Sequence, residues 1–159
     1  MRRSNRSAYV RLGTVLVLAA LAAAVTVAAM ATPVPQERQP TAAEAGATLK
    51  KHVMRLLAEV SNEPFHITDP SGKDILCGGG EVRRTFAASA VDHSGQRDAR
   101  TLNIQMVAAV NEFADYHFTN SEGPDFNMSS DSTKTSLHLN SVGERRYSVR
   151  GKTFCLSPS

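Results

Sequence analysis

The 159-residue sequence carries only two cysteines, and they form no Cys-x-x-Cys pair. That excludes the redox dithiol motifs and the cysteine-rich zinc sites. No Gly-x-Ser-x-Gly elbow occurs, and no Ser-x-x-Lys is followed by Lys-Thr-Gly, so the common serine hydrolase signatures are missing. His52, His66, His93, His117 and His138 are scattered, with neither His-x-x-x-His nor His-Glu-x-x-His spacing to hold a metal. No Lys-Ser/Thr follows Cys77-Gly78-Gly79-Gly80, which removes the phosphate-cradling loop. There is no internal repeat. A basic excess on the folded part is also lacking. Residues 32–159 hold 14 basic and 15 acidic side chains, a net −1, against +3 for the whole chain. Nucleic-acid binding, which needs cations on the domain itself, is therefore not expected.

What is present begins with Arg2, Arg3, Arg6 and Arg11, followed by nineteen uncharged residues, 12–30, of mainly Leu, Val and Ala. As a helix this run would extend about 28 Å, close to the hydrocarbon thickness of a bilayer. The arginines ahead of it place the N-terminal side in the cytoplasm and the rest outside. The expected organisation is a cytoplasmic basic tail (residues 1–11), a transmembrane anchor or signal peptide (12–31), a Pro-rich spacer (32–40) and an extracytoplasmic domain (41–159). The length of the run favours an uncleaved anchor. Cleavage after Ala31, at Ala29-Met30-Ala31, is the alternative and would release a secreted domain. The three prolines in residues 32–40 stop any helix and give a semi-stiff spacer.

In an oxidising compartment, an even cysteine count reads as one disulfide, Cys77–Cys155, tying the loop before the first strand to the last strand. Closing so long a loop stabilises the fold by roughly 4 kcal/mol in the chain-entropy view.

At 42% hydrophobic and 21% charged, the composition is that of a globular chain long enough for one domain. Thr41-Ala42-Ala43-Glu44 is a capping box, and Leu49, Val53, Leu56, Leu57 and Val60 follow on one helical arc of about 100°. Asn62 and Pro64 close that helix. A second helix is expected over residues 98–116, with Leu102, Met106, Ala109, Val110 and Phe113 on one side. It would place His117 on its apolar face if it ran that far. Residues 64–81 read as loop and 81–92 as a strand, with one further strand within 117–128. The period then becomes two. Thr133, Thr135, Leu137 and Leu139 alternate with Lys134, Ser136, His138 and Asn140. After a turn at Asn140-Ser141-Val142-Gly143, Tyr147, Val149, Gly151, Thr153 and Cys155 alternate with Arg146, Ser148, Arg150, Lys152 and Phe154. The fold class expected is α+β, with two helices packed on an antiparallel sheet of about four strands.

The Arg-rich start, the Ala/Val/Leu span, the Pro-rich spacer, Cys-Gly-Gly-Gly before a strand and a terminal Val-Arg-Gly-Lys-Thr-Phe-Cys-Leu together resemble small exported or membrane-anchored proteins of actinobacteria. Many of those are lipoproteins, and most have no assigned function. The resemblance implies an extracytoplasmic α+β domain with a disulfide, and it supplies no catalytic residues. The lipidated cysteine of the lipoproteins is missing here, so no lipid anchor carries over.

Charge supplies the remaining signal. No Lys or Arg lies between Arg100 and Lys134, while Glu112, Asp115, Glu122, Asp125 and Asp131 are acidic. Asn120, Asp125, Asn127 and Asp131 are oxygen donors, but their spacing is not that of a calcium loop, and a solvated acidic loop is expected. Asn127-Met128-Ser129 is a glycosylation sequon with meaning only in a eukaryotic host. Asp92-His93-Ser94 has nucleophile-type residues, yet neighbours in a turn do not point at one another. By alternation, Arg146, Arg150 and Lys152 share one strand face, with Lys134 and His138 matching them on the partner strand. Five such groups form a candidate surface for an anionic cell-envelope component, whether wall polymer or lipid headgroups, or an acidic protein patch. The expectation is a non-enzymatic binding or accessory domain, with no catalytic, cofactor or metal site. The alternative is a small secreted hydrolase whose His, Asp and Ser residues assemble only in space.

Overall fold

The computed structural model describes residues 38–61, 63–120, 125–142 and 145–159. The basic tail, the apolar span and most of the spacer lie outside these residues, as do parts of the acidic loop and of the final hairpin turn. Among the described residues no helix is long and apolar enough to cross a membrane.

Helix α1 (Ala42–Val60) begins where its caps require. The Thr41 hydroxyl accepts from the Glu44 N–H at 3.2 Å, and the Glu44 carboxylate accepts from the Thr41 N–H at 2.8 Å. Leu49, Val53, Leu56, Leu57 and Val60 are all buried along the expected arc. Helix α2 (Ala99–Asn111) is capped by Asp98, whose carboxylate accepts from the Thr101 N–H at 2.7 Å. It is shorter than its apolar period suggests. After Asn111 the chain turns, through hydrogen bonds from Glu112 and Phe113 back to Ala109 and Val110, and releases Tyr116 into the core from non-helical backbone. His117 therefore lies outside the helix and is exposed.

Six strands form the main sheet rather than four: β1 (His66–Asp69), β4 (Thr85–Val91), β8 (Arg146–Thr153), β7 (Thr135–Val142), β6 (Phe126–Ser130) and β5 (His117–Asn120), in that spatial order and antiparallel throughout. Helix α2 carries the chain from β4 to the far edge at β5. The strands then return as a meander, so that β8 pairs with β4. The segment read as loop over residues 64–81 instead contributes β1 and a small separate ladder of β2 (Ile75–Gly78) with β3 (Glu81–Arg83). Gly78, Gly79 and Gly80 turn that hairpin with φ of 109°, 62° and 83°, a region open to glycine.

Both helices lie on one face of the sheet, α1 across β4 and β8 and α2 over β7. The core between the layers contains Phe86 and Ala88 of β4, Tyr147 and Val149 of β8, Leu137 and Leu139 of β7 and Met128 of β6. At Gly151 of β8 the Leu49 side chain of α1 packs close to bare backbone: a Cβ there would come within 2.4 Å of Leu49 Cδ1. A smaller cluster of Ala42, Ala45, Val82 and Leu156, with Phe154 against it, joins the start of α1 to β3 and the C-terminal segment. Val82 and Leu156 exchange backbone hydrogen bonds of 2.9 Å there. The Cys77–Cys155 disulfide, with a Cα–Cα distance of 6.0 Å, fastens the same corner. Cys77 lies within strand β2, not in a loop, and Cys155 just beyond β8.

Asp92 is nearly buried at the end of β4. Arg97 reaches its carboxylate at 2.9 Å and also donates to the Val60 carbonyl and the Gln105 side chain, each at 3.0 Å. This clip joins β4, the end of α1 and α2, and the Arg97 and Ser94 hydrogen bonds hold the Asp92 carboxyl far below the usual carboxylate range. Asp92-His93-Ser94 is thus a structural turn. His93 points away to Glu63 at 3.2 Å, a pair exposed on both sides.

Candidate functional site

With one sheet face committed to the helices, the opposite face carries every second side chain into the open. Strand register sets the rows on that face. Arg150 of β8 stands opposite Ala87 of β4 on one side and His138 of β7 on the other, and His138 stands opposite Asn127 of β6. Lys152 is flanked by Thr85 and Ser136, and Ser136 by Ser129. Nearer the other end of β8, Ser148 lies between Ser89 and Asn140, with Arg146 beyond it. These rows edge a groove of about 960 Å³, lined by residues including Asp69, Thr85, Asn127, Ser129, Ser136, His138, Arg150, Lys152 and Phe154. A second depression of about 460 Å³ on the same face is lined by residues including Ser89, His138, Asn140, Arg146 and Arg150.

Of the five residues expected to form a basic surface, four share this face: His138, Arg146, Arg150 and Lys152. Lys134 departs from the expectation. The alternation of the sequence begins at Thr133, two residues before the strand itself, and Lys134 occupies the preceding turn at φ 54°. Its ammonium lies 6.0 Å from the Phe154 ring centroid, and its carbonyl accepts from the Phe154 N–H at 2.8 Å. Of the two, Phe154 lines the groove. Phe154, out of step with the polar alternation, is half-buried against the small cluster rather than fully exposed.

Among the described residues no carboxylate lies within 4 Å of Arg146, Arg150 or Lys152. The acids near them are already engaged. Asp69 accepts from the Thr85 hydroxyl at 2.5 Å and from the Ser71 N–H at 3.1 Å. Those bonds, Thr85's first, keep its carboxyl below the ordinary value. Asp125 accepts from the Asn140 amide and stands 3.8 Å from His138 Nε2, while His138 Nδ1–H donates to Asn127 Oδ1 at 2.9 Å. Asp125 and Asn127, read above as oxygen donors of an acidic loop, thus orient the imidazole of the basic face. Asp131 is exposed in the turn after β6.

One serine–histidine contact lies on the same face. Ser129 Oγ is 3.1 Å from His117 Nε2 at the β5 edge. No carboxylate among the described residues pairs with that imidazole, and the nearby Asp115 is taken by the Ser130 and Ser132 hydroxyls at 2.8 and 2.7 Å. The sequence did not mark Asp69, Thr85 or Ser129 as groove residues, because their place in the groove depends on strands far apart in the chain. No protein-family model, no curated protein and no solved structure matches this chain.

Proposed function

We propose that this chain is an extracytoplasmic binding or accessory domain, held at the cell membrane through residues 12–31, that captures an anionic partner on the open face of its sheet. The observation that carries the reading is the line of Arg146, Arg150 and Lys152 along β8, without carboxylate partners among the described residues and set beside His138 over a groove. Three fixed cations aligned on one face favour binding of negative charge. An anchor would hold the domain near its partners and raise their effective concentration. The disulfide accords with an oxidising location.

The test is capture from intact membranes with the full chain as bait. Truncating Arg146 and Arg150 together to Ala should weaken capture and flatten its dependence on salt. Unchanged capture with unchanged salt dependence removes the basic face from the reading. The small-hydrolase alternative has the Ser129–His117 contact in its favour. Covalent labelling of Ser129 by a fluorophosphonate, lost in His117→Ala, would install that alternative; an unlabelled chain leaves it without support.

A further inference from the structure

We infer that the ligand of this face is an extended acidic saccharide, its carboxylates spaced along a chain of hydroxylated rings. The inference rests on the reading of the open sheet face as an anion-binding surface and specifies what kind of anion it takes.

The cations are arranged as a line. A strand rises about 3.3 Å per residue, so the Arg150 and Lys152 backbone positions are about 7 Å apart and those of Arg146 and Arg150 about 13 Å. Arg146 and Arg150 edge the smaller depression, while Arg150 and Lys152 edge the larger one. Arg150 is common to both. The positive charge therefore runs from one depression into the next, which suits a long polyanion better than a single compact phosphate. Guanidinium groups take carboxylates through paired N–H donors.

The surface between the cations decides the rest. Thr85, Ser136, Ser129 and Asn127 offer hydroxyls and an amide, groups that both donate and accept. Sugar hydroxyls have the same dual character. Ala87 and Phe154 add apolar surface to the lining, which the C–H faces of sugar rings can cover, while Phe86, Leu137, Tyr147 and Val149 fill the core behind the sheet. An extended acidic peptide would seek backbone partners, and in the middle of a six-stranded sheet the backbone groups are already paired between strands. Phe154 adds an aromatic ring to the groove.

The experiment measures affinities of the full chain in uncharged detergent micelles for three probes of six units each: a hexamer of galacturonate, a neutral hexamer of glucose and hexaglutamate. The hexauronate should bind at least tenfold tighter than either of the others. Arg150→Gln should weaken it about tenfold, the scale of one charge-assisted pair. A second variant, Ser136→Ala with Asn127→Ala, should weaken the uronate severalfold and leave hexaglutamate unchanged. If hexaglutamate binds as tightly as the uronate or more so, with the same dependence on Arg150, the saccharide inference falls and the anion-binding reading stands. If neither anion binds better than neutral glucan, or Arg150→Gln changes nothing, both fall.

Discussion

Gly151 lies in the middle of β8, where a side chain would point into the core directly beneath α1. A Cβ at this position would meet Leu49 Cδ1 at 2.4 Å and Leu137 Cδ2 at 3.2 Å, whereas non-bonded carbons rest at about 3.5–4.0 Å. Leu49 and Leu137 are almost fully buried, so neither can move into solvent, and relief requires α1 to lift or Leu49 to leave its rotamer. Overpacking of this kind costs about 1–3 kcal/mol. Replacing glycine within a strand by alanine returns about 0.5–1 kcal/mol of backbone entropy. Gly151→Ala should then lose about 0–2.5 kcal/mol, centred near 1 kcal/mol, which for a domain of this size lowers Tm by roughly 5 °C. Gly151→Val, with more carbon in the same space, should lose more. Thermal unfolding followed by circular dichroism reads the shift. The cause is isolated by adding Leu49→Ala, which alone costs about 2–5 kcal/mol through the cavity it leaves. In the double variant the new methyl occupies part of that cavity, so the combined loss should fall at least 1 kcal/mol short of the sum. A Gly151→Ala protein more stable than the parent, or strict additivity with Leu49→Ala, would refute the claim that bare backbone at 151 sets the distance between helix and sheet.

Reducing Cys77–Cys155, or replacing both cysteines by serine, opens a loop of 78 residues and should lower stability by about 4 kcal/mol in the chain-entropy view, read as a lower urea midpoint with a steeper slope, because the unfolded chain is no longer cross-linked. An unmoved midpoint would mean that the Val82–Leu156 backbone pairing holds that corner alone. His52 gives a pH signature. It is half-buried beside the Phe113 ring, with Nδ1 3.2 Å from the Tyr116 hydroxyl, and burial first, then Lys51 and Arg55, lowers its pKa below the ordinary 6.5. The unfolded chain therefore binds this proton more readily than the folded one. Stability from this group should be complete above about pH 6.5 and be lost as the pH falls toward the lowered value. His52→Gln should flatten that window in equilibrium unfolding, and a slope unchanged by the substitution would assign it elsewhere. The carboxyls of Asp69, Asp98 and Asp115, all held below 3.8 by hydrogen bonds, contribute only to the separate loss below about pH 4.

What was legible in advance is what nearest neighbours along the chain decide. Helix α1 is written in a four-residue capping box and a run of apolar residues one turn apart, and β7 and β8 in their alternation, because those signals and the structures they specify have the same short range. Strands β1, β2 and β5 carry no such period. Their side chains are nearly all exposed, so neither face selects apolar residues, and only pairing with a neighbouring strand makes them strands. The second helix read too long because Phe113 and Tyr116 continue to serve the core after the helical backbone has ended. Lys134 looked like a strand residue because the turn before β7 continues the polar alternation.

By itself the sequence determined the two helix starts, the pairing of its only cysteines and the presence of Arg146, Arg150 and Lys152 on one face of the last strand. All of these follow from periodicity, from capping chemistry or from the absence of any other partner. The tertiary structure decided that this face stays open, that β4 and β7 flank it, and that Asp69, Thr85 and Asn127 meet His138 and Arg150 across it. A groove on a sheet is made by register between strands as far apart in the chain as Thr85 and Lys152, and register is settled by how the opposite face packs beneath two helices.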